Sequence, residues 1–181
     1  MNCRIQVPRS LRRNSAGMTV LELMVAGGIG SIVLTAVAML TVFSARSFVA
    51  LGNYSDLDRA SRNALDLMSR EIRSTKSLTS FTTSKLTFND SDDKALVYTY
   101  SPTAHTLTRE KSGVKTVLLQ QCDLLNFEIS QRNPSNAFTF YPATNASLAK
   151  LIDVSWKCSR TILGAKVNTE SVQTAKIVIR N

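Results

Sequence analysis

Three features of the 181-residue sequence predict an α+β chain with one long N-terminal helix. An apolar run from Met18 to Ala45 contains a single charged side chain, Glu22. Behind it, apolar residues recur at helical spacing from Leu57 to Ile72. From Lys85 onward, short β-rich runs between turn residues replace that periodicity.

Charge and cysteine usage narrow the function classes. The formal net charge is +9, but Arg4, Arg9, Arg12 and Arg13 all precede the apolar run. Without them 18 basic residues face 13 acidic ones, too mild an excess to argue for nucleic acid by itself. Cys3, Cys122 and Cys158 form no C-x-x-C pair, and a single histidine leaves zinc or haem ligation without support. Walker A, GxGxxG, G-x-S-x-G and HExxH motifs are absent from the sequence.

Leu23 to Ala45 is a charge-free stretch long enough to cross a hydrocarbon core of ~30 Å at ~1.5 Å per helical residue. The arginines ahead of it place the N-terminus in the cytoplasm and everything after Arg46 on the far side. A secretory signal peptide is the competing reading, with Ala36-Val37-Ala38 as its cleavage site. The long basic segment, the interrupting Glu22 and the hydrophobicity beyond Ala38 argue against it. A carboxylate in such a helix costs roughly 2.5–3.5 kcal/mol on insertion scales, so Glu22 calls for a partner.

After Ala45 the helix is expected to continue, with Gly52-Asn53 marking a bend. Leu57, Ser61, Ala64, Leu65, Met68 and Ile72 share one arc, and Arg59, Arg62, Asp66, Arg70 and Arg73 the opposite one. With no aromatic residue between them to stack bases, the arginines read as a solvated face. Predicted strands are Leu86–Phe88 and Ala95–Tyr100 around an exposed polar loop at Asn89–Lys94, then Leu107–Glu110 and Val114–Gln120 flanking the Ser112-Gly113 turn. Leu124–Ser130, Ala137–Tyr141, Leu151–Lys157 and an edge strand at Lys176–Arg180 complete the set. His105 reads as a surface turn residue, and the acidic loop lacks the Gly and downstream Glu of an EF-hand.

Ile152, Val154, Trp156 and Cys158 alternate onto an inward face. Cys122 is out of phase with Leu125, Phe127 and Ile129, so a bulge near Asp123 is needed to bring the two thiols together. Both a disulfide and two free buried thiols are open at this point. If formed, the bridge closes a loop of about 35 residues, worth roughly 4 kcal/mol on the chain-entropy model.

The segment Ala16-Gly17-Met18-Thr19-Val20-Leu21-Glu22 resembles the N-terminal processing signal of type IV pilins and type II secretion pseudopilins. Leu21–Ala26 is similar to W-type minor pilins, and Arg62–Arg73 to both these and J-type minor pseudopilins. The mature chain would begin with Met18 where many members have Phe, and Met39 stands where major pilins carry Pro. The resemblance implies a cleaved leader (1–17), a transmembrane or filament-core helix (18–45), an amphipathic helix (46–80) and a β-rich extracytoplasmic head (81–181), with the helix packed on a small antiparallel sheet. It implies cleavage between Gly17 and Met18, N-methylation of Met18, and pairing of Glu22 with the α-amino group of a neighbouring subunit. A non-enzymatic structural subunit without cofactor or metal is the function it implies, in the inner membrane and then in a filament. Its partners would be other pilin or pseudopilin subunits, a prepilin peptidase and an inner-membrane assembly platform. A pilin tip that captures DNA or a surface, and a membrane-anchored extracytoplasmic enzyme, are the alternatives.

Overall fold

The computed structural model describes residues 17–135, 139–161 and 170–179. It confirms the α+β class: one long helix precedes two antiparallel sheets. Residues 1–16 of the basic leader, the start of the strand predicted at Ala137–Tyr141 and the end of that at Lys176–Arg180 lie outside the described residues.

Helix α1 runs Val20–Ser74 without interruption, so Gly52 and Asn53 do not break it. The chain divides into two units, one through Ser44 and one from Ala45 onward. In the second unit α1 buries Leu57, Ser61, Ala64, Met68 and Ile72, the arc expected from periodicity, while Arg59, Arg62, Arg70 and Arg73 stay exposed. The helix ends at Ser74, six residues short of the expected limit at 80. Ser74 donates its hydroxyl to Glu71 O (2.7 Å) and Thr75 to Ile72 O (2.7 Å), satisfying carbonyls of the last turn that would otherwise be orphaned.

The expected single small sheet is replaced by two. The first has the order β1 (Ser77–Phe81), β2 (Lys85–Asn89), β3 (Ala95–Ser101), β4 (Thr106–Lys111), β5 (Val114–Leu119), a meander of neighbouring strands. The Ser112-Gly113 turn closes β4 on β5 as a two-residue hairpin, with both residues at positive φ (53° and 80°), the mirror-image geometry that suits the twist of paired strands. The second sheet has the order β7, β6, β8, β9, built from β6 (Cys122–Arg132), β7 (Phe140–Pro142), β8 (Ala149–Ser159) and β9 (Glu170–Val178). Strand β9 lies at the sheet edge, as expected of the last strand, but begins at Glu170 rather than Lys176.

One contiguous core joins the buried face of α1 to the inward faces of both sheets. Trp156, Tyr98, Phe88, Phe127, Met68 and Ile72 are its largest fully enclosed side chains. At roughly 1.5–3 kcal/mol per fully buried large apolar side chain, this cluster outweighs any single polar contact in the head.

Candidate functional site

The sequence points to the N-terminal end of α1. Gly17, Met18 and Thr19 precede the helix in irregular, exposed backbone, so the Gly17–Met18 peptide lies outside regular structure. Thr19 caps the helix: its Oγ1 accepts the Glu22 N–H (3.2 Å), and its carbonyl accepts the Leu23 N–H (3.1 Å). Glu22 therefore occupies the third helical position of a T-x-x-E pattern, one half of a capping box, at the helix end whose dipole favours negative charge. That spacing is visible in the sequence and supplies a local reason for a carboxylate here, independent of any partner.

Beyond Glu22 the helix has no core to rest on. Met18 through Phe43 is exposed at every position except a half-buried Gly30. The exposed set includes Leu21, Leu23, Met24, Ile29, Ile32, Leu34, Met39, Leu40 and Phe43. Mean hydropathy of its most apolar window is 2.2, and none of that window is buried, so this helix is long and apolar enough to cross a membrane. Its hydroxyls suit such a medium. Ser31 donates to Gly28 O (2.8 Å), Thr35 to Ser31 O (2.8 Å), and Thr41 to Val37 O (2.9 Å) and Ala38 O (2.8 Å). Each hydroxyl is satisfied within the helix, which a medium without water requires. Among the described residues, no ion pair or side-chain hydrogen bond reaches the Glu22 carboxylate.

The head's polar groups fasten elements to one another. Glu71 on α1 accepts bonds from Arg109 on β4, through Nε (2.7 Å) and Nη2, and from the Tyr98 hydroxyl (2.6 Å). Burial pushes the Glu71 pKa up, but the bonds from Arg109 and Tyr98 and the Arg109 charge outweigh it, leaving the carboxyl below its ordinary value of 4.5. The same surroundings push the Tyr98 hydroxyl well up, chiefly by desolvation and by its bond to Glu71.

Asp90 corrects the expectation of a uniformly exposed acidic loop. It is 1% exposed and pairs with Lys111 (2.6 Å), whose hydrogen bond holds its carboxyl below the usual range. Asp93 pairs with Lys76 (2.6 Å) at the surface, so the two carboxylates tie the β2–β3 loop to β4 and to the residue ahead of β1. Asp58 on α1 binds Arg62 (2.7 Å) and Gln173 of β9 (3.0 Å), an anchor that no sequence motif announces.

The predicted bulge is present. Between β6 and β8 the register shifts at Asp123, and Cys122 lies opposite Cys158. Both are buried as free thiols. Tyr100 Oη donates to Cys122 O (3.2 Å) and Asp123 O (2.9 Å), Ser159 Oγ binds Asp123, and His105 O accepts the Cys122 N–H (2.9 Å). His105 is an exposed turn residue at φ 53° that helps hold this bulge.

A cleft of about 360 Å³ lies between the β1–β2 turn (Phe81, Thr82, Thr83) and β6 and β7 (Phe127, Ile129, Pro142). Among the described residues, Glu128 is the one ionisable residue lining it. Among the described residues, no cluster of His, Cys, Asp and Glu could hold a metal ion. No protein-family model, curated protein or solved structure matches the chain.

Proposed function

We propose that the chain is a structural subunit of the type IV pilin or type II secretion pseudopilin kind. In this reading it is processed after Gly17, held in the inner membrane by α1 with its head outside the cytoplasm, and assembled into a filament through the apolar helix. One observation carries the proposal: Glu22 is the sole charge in the apolar stretch Met18–Ala45, whose most apolar window is unburied, and no described side chain pairs with it. A lipid-facing carboxylate without a partner is costly, whereas a filament core supplies one in the α-amino group of a neighbouring Met18. The irregular, accessible backbone at Gly17–Met18 supports processing there.

The N-terminal mass of the membrane-extracted protein tests the processing step. A chain beginning at N-methylated Met18 is expected; retention of Met1, or a start after Ala38, overturns the reading. Glu22→Gln separates capping from assembly, because the Thr19 cap is made to the backbone N–H of residue 22, which glutamine keeps while removing the charge. The variant should accumulate in the membrane at the normal level and be lost from sheared filaments. Normal incorporation refutes the role of Glu22.

A further inference from the structure

We infer that Cys122 and Cys158 form an intramolecular disulfide when the chain meets an oxidising thiol–disulfide couple, stapling the β6 bulge to β8. The two residues are direct cross-strand partners. The Ser159 N–H donates to Gln121 O (3.1 Å), while the Cys122 N–H turns away to His105 O. That pattern defines a non-hydrogen-bonded antiparallel pair, in which the Cα atoms stand about 4.5 Å apart and the side chains lean together. A disulfide spans Cα separations of about 4.4–6.8 Å, so this site lies within its range.

The bulge is what creates the pairing. Were Asp123 paired in a regular ladder, Cys122 would fall opposite Ser159 and face away from the side of Phe127 and Leu125. Tyr100 and His105 bond the bulged backbone and Ser159 bonds the Asp123 side chain, which fixes the bulge beside β8. Both sulfurs are enclosed, with Cys122 0% and Cys158 1% exposed. Cys122 Sγ lies 3.3 Å from Leu124 O, and the adjacent Cys122 thiol lowers the Cys158 pKa against the effect of burial.

The reaction is ordinary thiol–disulfide exchange. The Cys158 thiolate attacks one sulfur of a small-molecule disulfide such as oxidised glutathione, expelling a glutathione thiolate. The Cys122 thiolate then attacks Cys158 Sγ in the mixed disulfide and expels the second glutathione. Two protons leave the cysteines, and their two electrons pass to the reagent. Because the folded thiols are closed off, the bridge forms as the chain folds and is then shielded from reductant.

Formation of the bridge in the cell rests on the export reading above, so the test separates the two. The full detergent-extracted chain is unfolded with reductant and refolded in a mixture of reduced and oxidised glutathione. It is then denatured, alkylated with N-ethylmaleimide and digested with trypsin. The expected product joins the peptide 116–132 to 158–160, without label on either cysteine. In the folded chain the link should resist dithiothreitol that reduces it promptly once urea is added. Alkylation of both cysteines, or glutathione carried separately by each, overturns the inference. The same digest of protein taken directly from cells reads the export assignment: a bridge that forms on refolding but is absent in cells counts against export, and the pairing stands.

Discussion

Arg109→Met removes one partner of the Glu71–Arg109 pair while keeping a long apolar stem in place. The side chains of Arg109 and Glu71 are 18% and 12% exposed, between a surface pair and a fully buried one. Surface pairs contribute about 0–1 kcal/mol, whereas removing one partner of a buried pair costs about 3–5 kcal/mol. Tyr98 still donates to Glu71 in the variant, so the loss should be about 2–3 kcal/mol at neutral pH. The pH dependence carries the sharper test. A carboxyl held below its ordinary value stabilises the fold above the unfolded-state pKa, and that contribution is lost as pH falls through the folded one. Without Arg109 the largest opponent of burial is gone, so the Glu71 pKa rises and acid relieves the variant sooner. The gap between wild type and variant should therefore be widest at neutral pH and narrow toward pH ~4. Urea titration of the full chain in non-ionic detergent reads it through the single tryptophan, Trp156, which is 2% exposed. A difference below about 0.5 kcal/mol at neutral pH, or one unchanged toward pH ~4, would refute the assignment of this pair as a clamp between helix and sheet.

Three further substitutions probe the turns that shape the sheets. Tyr100→Phe strips the hydroxyl from the two carbonyls of the bulge and should cost about 1–2 kcal/mol, with faster amide exchange at Cys122–Leu124 in hydrogen-exchange mass spectrometry. In the β4–β5 hairpin, Gly113→Val should destabilise by about 1–2 kcal/mol because φ there is +80°, while Ser112→Gly at φ 53° should be neutral or stabilising by up to ~1 kcal/mol. Thermal melts that show the same sign for both would contradict the turn geometry.

The helix face was legible because burial of Leu57, Ser61, Ala64, Met68 and Ile72 follows the bare 3.6-residue period. Strand β8 was legible for a similar reason: Ile152, Val154, Trp156 and Cys158 alternate strictly. Strand β9 was not, beyond its last residues. Its inward positions include Ser171, Gln173 and Ala175, and Gln173 turns inward because Asp58 on a distant helix receives it. Asp90 was misread for the same physical reason, since the Lys111 that makes its burial affordable lies on another strand. Strand β1 carries a single fully buried apolar residue, Leu78, too little for a period-two signal. At the N-terminus the lone charge was plain in the sequence, and so was the Thr19–Glu22 spacing, whose capping role emerged only from the hydrogen bond.

The extra residue at Asp123 also constrains how this chain can change in length. Deleting it would give β6 a cleaner local alternation and leave Cys122 opposite Cys158, yet it would remove the carbonyl that Tyr100 binds at 2.9 Å and the carboxylate that receives the Ser159 hydroxyl. Insertions in the Asp92–Lys94 hairpin tip risk only the exposed contacts of Asp93, because loop closure varies only slowly with length and the neighbouring pairings keep their parity. Drift in length should therefore accumulate at that tip and be rejected between the sheets, where local regularity and global fit pull in opposite directions.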